Sequence, residues 1–367
     1  MIVVPKEAPL TKYLHDKARA LHIPLNGTFE LTPLCNMQCK MCYVRLEKQE
    51  QEAIRPLLTT EQWLNIARQA REQGLLYLLL TGGEPFMRPD FPVLVRELHQ
   101  MGLLLSINTN ATLIDEKTVA WLKETPPVRL NVTLYGASDE TYARLCGNPK
   151  GFQQVCHALR LLKDAGLSVK LNCSLTPANC GDLEAIFAFG EKEGFPIQAT
   201  SYMFPPLRRD GLQIGQNFRF SAEEAAYYAA KIEALSYGRE RFLAANVDEM
   251  KIGSDCVEGG EILCQAGRAS FWLSWDGQLM PCGMLNPADS PSLLEHDFAS
   301  AWVEVTTRSE AIRLPAACNG CDAKQTCMAC AAMVYTESGC FHKVPAYRCA
   351  MTAAYPAQVR KVQEEYR

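Results

Sequence analysis

The chain has 367 residues, 48% of them hydrophobic and 21% charged, with a formal net charge of −4 and an isoelectric point near 6.0. That length points to two or three domains with ample apolar core, and the mild acidity removes the electrostatic reason to expect a nucleic-acid partner. No apolar run reaches the length of a membrane span, and Met1 to Glu7 lacks the charged and apolar regions of a signal peptide, so a cytoplasmic protein with no membrane partner is expected.

Residues 1–27 read as an N-terminal extension. From residue 28 to about 237 strands alternate with helices. Strands are expected at 28–32, 76–80, 103–108, 129–134, 168–175 and 197–202. Between the first two, Thr59 and Gln62 form a capping box, Trp63, Ile66, Ala67 and Ala70 make an apolar stripe, and Gly74 stops the helix. A second stripe, Phe152, Val155, Leu159 and Leu162, ends near Gly166. Such alternation predicts parallel strands with crossover helices, an α/β layer or barrel.

Several strands also alternate polar with apolar: Arg129, Asn131, Thr133 and Tyr135 against Leu130, Val132 and Leu134, then Lys170, Asn172 and Ser174 against Val169, Leu171 and Cys173. Gln198, Thr200 and Tyr202 alternate with Ile197 and Ala199 in the same way. Parallel strands covered on both faces read as nearly continuous apolar runs. A barrel with helices outside and a polar lumen reconciles the two patterns, whereas a half-exposed antiparallel sheet sits poorly with the intervening helices.

Sixteen cysteines in a chain of this kind are better explained by metal than by disulfides. Cys35, Cys39 and Cys42 follow the first strand at C-x3-C-x2-C spacing, with Tyr43 directly after them. Clustered thiolates favour iron–sulfur or zinc sites; three in one loop suit a 4Fe–4S cluster with an open iron, though a zinc loop with a distant fourth ligand or three core cysteines would also account for them. The second strand runs into Thr81-Gly82-Gly83-Glu84-Pro85, where glycines permit close backbone approach and Glu84 can accept a hydrogen bond from an ammonium group. The third runs into Asn108-Thr109-Asn110-Ala111, and the fourth ends at Thr133-Leu134-Tyr135-Gly136 before a helix capped by Ser138 and carrying Arg144.

Together these motifs resemble the radical S-adenosylmethionine (SAM) enzymes. The resemblance implies a partial (βα)6 TIM-like barrel over residues 28–237 with a 4Fe–4S cluster on Cys35, Cys39 and Cys42. It also implies SAM contacts from Tyr43, Gly82, Gly83, Glu84, Pro85, Asn108, Thr133 and Arg144. Arg144 equally suits a solvated helix face. A reducing partner such as flavodoxin or ferredoxin would supply the electron.

After a linker at 238–255, cysteines recur at 256, 264, 282, 318, 321, 327, 330 and 349, and Trp272 to Met280 reads as a hairpin turning at Asp276-Gly277. This order resembles the SPASM domain of peptide- and protein-modifying radical SAM enzymes, here 256–352, followed by a helical tail at 353–367. The resemblance implies two auxiliary 4Fe–4S clusters, one on Cys256, Cys264, Cys282 and Cys330, the other on Cys318, Cys321, Cys327 and Cys349, making three in all. Two residues rather than the family's three separate Cys327 from Cys330, and Cys340 competes with Cys349 as last ligand. Paired zinc ribbons remain an alternative from spacing alone. Cys146, Cys156, Cys173 and Cys180 read as ordinary buried thiols.

The implied chemistry is oxidative modification of a peptide or protein substrate by a 5′-deoxyadenosyl radical, foremost a ribosomal-peptide crosslink or thioether. Sulfatase-maturating relatives, which make formylglycine, carry an aspartate after the cysteine matching Cys282; here that position is Gly283. An iron–sulfur electron carrier is the non-enzyme alternative, although such a carrier needs no SAM site. The segment from Tyr202 through Pro206 to Arg208-Arg209 is a candidate substrate-facing loop or a plain connection. No catalytic acid or base is assigned.

Overall fold

The computed structural model describes residues 8–205, 218–246, 260–262, 264–285 and 289–367. Cys256 and the candidate loop from Pro206 through Arg208-Arg209 lie outside them. Eight strands form one sheet: β1 Asn26–Glu30, β2 Tyr77–Thr81, β3 Leu104–Thr109, β4 Arg129–Thr133, β5 Val169–Ser174, β6 Ile197–Thr200, β7 Ser270–Leu273 and β8 Leu279–Met280. Their order is β6-β5-β4-β3-β2-β1-β7-β8, and all neighbours are parallel except β7 and β8. The six expected strands are all present, within one or two residues of the expected bounds.

From β1 to β6 the spatial order never reverses. Right-handed crossovers then place every connecting helix on one face of the sheet and leave the other face to line a cavity. Burial follows that geometry. Phe29, Leu78, Leu80, Leu105, Ile107, Leu130, Val132, Val169 and Leu171 are buried against the helices. Their alternates Asn108, Asn131, Thr133, Asn172 and Ser174 are half-buried polar groups. Asn131 Nδ2 donates to Asn108 Oδ1 at 2.9 Å, and Lys170 Nζ donates to Gln198. The polar lumen expected from the alternation is therefore present.

Local chemistry explains the helix ends. Thr59 and Gln62 make the reciprocal box that starts Thr60–Glu72, whose buried side is Trp63, Ile66, Ala67 and Ala70. Gly74, at φ 109°, follows that helix in a conformation suited to glycine. Ser138 Oγ accepts Thr141 N–H to begin Asp139–Cys146.

The hairpin departs from expectation in two ways. Ser274 N–H bonds to Gln278 carbonyl, leaving a three-residue loop with Gly277 at φ 89° rather than a two-residue turn. Moreover, β7 does not stand apart: it adds to the parallel sheet alongside β1, in register Thr28↔Trp272. Phe271 packs outward with Phe29 and Phe298, centroids 6.4 and 5.0 Å away, beneath helix Phe298–Ala311. The last helix is longer than a tail. It runs Ala346–Tyr366, carries Cys349 in its first turn and packs along helix Ala222–Tyr237, with Gln358 Nε2 bonded to Glu223 Oε1 at 3.0 Å. No helix among the described residues is long and apolar enough to cross a membrane.

Candidate active site

Two loops meet above the lumen. The β2 loop lies against the β1 loop through backbone alone: Gly83 N–H donates to Thr32 carbonyl at 2.6 Å and Glu84 N–H to Leu34 carbonyl at 2.9 Å. A β-carbon on Gly82 would stand 2.5 Å from Thr32 O, and one on Gly83 would stand 2.3 Å from Leu34 O. The glycine pair thus serves approach of the chain to itself, directly upstream of Cys35.

Glu84 is fully buried and its carboxylate accepts from Phe86 N–H at 3.1 Å, Thr109 hydroxyl at 2.9 Å and Asn110 N–H at 2.8 Å. It therefore straps the β2 loop to the end of β3 and caps the short turn Pro85–Met87, whose Pro85 is buried. Burial pushes the Glu84 carboxyl up to about 7 despite those donors. A carboxyl whose folded pKa lies above its ordinary 4.5 holds more protons when folded, so its contribution is full below 4.5 and is lost as pH rises through about 7. The apoprotein should accordingly lose roughly 3 kcal/mol of unfolding free energy between pH 4.5 and 7.5. Denaturant titrations of the wild type against Glu84→Gln, which should lack this slope, check the expectation; equal slopes would refute it.

The triplet thiols are half-buried. Cys35 Sγ receives Met37 N–H at 3.4 Å and Asn110 Nδ2 at 3.7 Å, and Cys42 Sγ receives Arg45 N–H at 3.3 Å. Gln38 and Lys40 N–H bond the carbonyls of Cys146 and Leu145, at 2.8 and 3.0 Å, so the loop hangs on the end of helix Asp139–Cys146. Burial pushes Cys35 up to about 12. The Cys146 thiol, then the Tyr135 hydroxyl, hold Cys39 below its ordinary range against burial, while Cys146 itself is raised by the same contact. Burial, then the Cys39 thiolate, raises Tyr135. Soft donors kept from water and supplied with N–H, S–H and O–H groups fit an iron–sulfur cluster, whose iron would replace the protons.

Of the other predicted residues, Tyr43 is half-buried beside Cys42, and Asn108 and Thr133 face the lumen. Arg144 does not project freely: its guanidinium donates to Ala178 carbonyl at 2.7 and 3.3 Å and to Thr141 Oγ1 at 3.3 Å. Tyr135, Asn110 and Cys146 were missed as site residues. Tyr135 shares the lumen phase of β4 and Asn110 lies in the β3 motif, which are usable signals; nothing in spacing links Cys146 to Cys39.

Downstream, Cys256 lies outside the described residues, and Cys318 packs on the same small apolar cluster as Cys264, Cys282 and Cys330. Cys264, Cys282 and Cys330 pack around Ile262, Leu285 and Leu314. Burial pushes Cys282 up to about 11, with Cys330 and Cys264 the next thiols acting on it. Cys349 is raised by burial and by Cys327, Cys318 and Cys321. The backbone N–H groups of His342 and then Lys343 hold the Cys340 thiol below its ordinary range. Arg348, 6% exposed, and Arg219 each keep a buried Nε with no partner among the described residues, while Glu337 accepts Arg219 at 2.6 Å and Tyr202 hydroxyl at 2.5 Å. The Arg348 cation acts on Cys330 and suits an anionic cluster there. Among the described residues no three His, Cys, Asp or Glu converge on one point as ligands of a single ion do.

The comparisons agree with this geometry. A model of the radical SAM superfamily matches residues 29–189. The AdoMet-dependent heme synthase of Methanosarcina barkeri is 25% identical over 326 residues, covering 85% of this chain and 92% of that protein. Streptococcus suis SuiB bound to S-adenosylmethionine superposes with a TM-score of 0.67 at 16% identity, over 92% of this chain and 81% of that one. A tagged form of anSMEcpe with bound AdoMet gives 0.70 at 16% identity, over 93% and 96%. Fold, cysteine triplet and family match converge on a radical SAM domain at residues 29–189.

Proposed function

We propose that this radical SAM enzyme oxidatively modifies a peptide or protein, foremost as a maturase that forms a thioether or carbon–carbon crosslink. One observation carries the reading. The Gly83 and Glu84 N–H groups donate to the Thr32 and Leu34 carbonyls, which fixes the triplet loop against the motif that would hold SAM. Cys35, Cys39 and Cys42 would hold the cluster, and Tyr43, Gly82 to Pro85, Asn108, Thr133 and Arg144 would surround SAM. Bound there, cluster and SAM supply a 5′-deoxyadenosyl radical that removes a hydrogen atom from substrate. The chain's own contribution is a polar lumen that orients both molecules and excludes competing hydrogen donors.

Two auxiliary 4Fe–4S clusters in a SPASM domain are supported by the two cysteine groups, Cys264, Cys282 and Cys330 with Cys256, and Cys318, Cys321, Cys327 and Cys349. Their place is to accept the electron released by an oxidation, with a flavodoxin or ferredoxin supplying the first one. The peptide substrate is supported by SuiB, solved with precursor peptide SuiA, and by anSMEcpe, solved with Cp18Cys peptide. Gly283, in place of an aspartate, weighs against the formylglycine-forming reading. A second reading follows from the 25% identity to an AdoMet-dependent heme synthase: a step of heme synthesis on a porphyrin substrate.

Anaerobically reconstituted protein with dithionite and SAM should yield 5′-deoxyadenosine. Deuterium should then pass into it from cysteine-containing peptides deuterated at Cα and Cβ of their other residues, and not from a deuterated porphyrin. Absence of SAM cleavage would leave the electron-carrier alternative.

A further inference from the structure

The lumen is polar but nearly without acids. Along the lumen-facing positions of the described strands, alternating with the helix-covered set, Glu30 is the only carboxylate. Arg129 and Lys170 face the cavity from the starts of β4 and β5, at the opposite end. Glu30 closes β1 in register with Thr81, the residue directly before Gly82, and so lies just below the paired loops.

Its side chain is fixed. Glu30 is fully buried and accepts a hydrogen bond from Trp272 Nε1 at 3.1 Å. The indole is braced from the other side by Gly283, where a β-carbon would stand 2.8 Å from the ring. Gly283 directly follows Cys282. A continuous set of contacts therefore joins the C-terminal cysteine region, through a glycine and an indole, to the lumen's single acid among the described strands. Glu84, the buried carboxylate at the lumen mouth, is committed to Phe86, Thr109 and Asn110.

We propose that Glu30, oriented by Trp272, takes the proton that leaves the substrate as the oxidised product forms. The proposal rests on the peptide-modifying reading and assigns its missing base. Hydrogen-atom removal leaves a substrate carbon radical. In thioether formation that carbon bonds to a cysteine sulfur and the S–H bond breaks. The proton passes to a Glu30 carboxylate oxygen, and the remaining electron passes to an oxidised iron–sulfur cluster on the C-terminal cysteines. Charge and atoms balance with no further reactant.

The test uses the full reconstituted chain, SAM, dithionite and synthetic cysteine peptides bearing deuterium at Cα and Cβ. Glu30→Gln should keep deuterium transfer into 5′-deoxyadenosine within about threefold of wild type while crosslinked product falls roughly a hundredfold. Glu30→Asp should recover product to within about tenfold. If Glu30→Gln fails to assemble its clusters by visible absorption and iron content, Trp272→Phe replaces it: the aromatic brace stays, the donor goes, and product should fall about tenfold with transfer intact. A role in packing alone would lower transfer and product together in either variant. That result, or product undiminished in Glu30→Gln, overturns the assignment of Glu30 alone. No deuterium transfer by the wild type removes the peptide reading, and this proposal with it.

Discussion

Cys39→Ala is expected to abolish 5′-deoxyadenosine formation, by about a thousandfold or more, which corresponds to roughly 4 kcal/mol of lost stabilisation. The physical reason is that no neighbour can replace this thiolate. Cys35 and Cys42 are already ligands of the same site, and Cys146, though beside Cys39, is buried at the end of its helix with its carbonyl committed to Gln38. Moving it inward would uncouple helix Asp139–Cys146 from the loop it supports. Anaerobic reconstitution followed by iron analysis should show roughly four irons fewer per chain than wild type. Cys156→Ala is the control, since that half-buried thiol contacts none of the cysteine groups and is influenced instead by Arg160, Glu193 and Asp139. A Cys39→Ala protein that still cleaves SAM within tenfold of wild type would refute the assignment.

Gly83→Ala is expected to lower the stability of the apoprotein by about 3 kcal/mol and to prevent cluster retention. The added methyl would lie 2.3 Å from Leu34 O, 2.6 Å from Leu34 C and 2.9 Å from Pro33 O. These are backbone atoms one and two residues before Cys35, so relief of the clash has to move the ligand loop itself. Gly181→Ala, with nothing within 4 Å of the new methyl, should stay within about 0.5 kcal/mol. Guanidinium unfolding of the two variants, followed by circular dichroism, compares them. Equal midpoints would mean that the two loops are not tightly joined.

Most of the fold was legible because it is written in periodicity. A lumen strand such as Val169–Ser174 must alternate, a helix such as Thr60–Glu72 must carry its stripe and cap, and both signals are local. The cysteine triplet and its Gly-Gly-Glu partner were legible for the same reason. What escaped depends on contacts between distant positions. Tyr135 and Cys146 gain their place against Cys39 only when β4 and the helix after it fold over the first loop. Glu84, read in the sequence as a ligand contact, also straps two strand ends, which only the folded chain reveals. Arg144, read as a SAM contact or a solvated helix residue, also holds the Ala178 carbonyl, a contact across 34 residues of chain. The edge pairing of β7 gave no sign, since four residues, Ser270–Leu273, can join either a hairpin or a sheet.

That edge pairing has a consequence for how the molecule is made. Asn26 meets Ser270 across the β1–β7 ladder, so during synthesis the outer edge of β1 waits for a partner that leaves the ribosome about 10–50 s later at ordinary elongation rates. Through that interval the strand leading into Cys35 has one unpaired side, open to association with another chain. Ser270–Leu273 is thus the segment whose arrival removes that exposed edge.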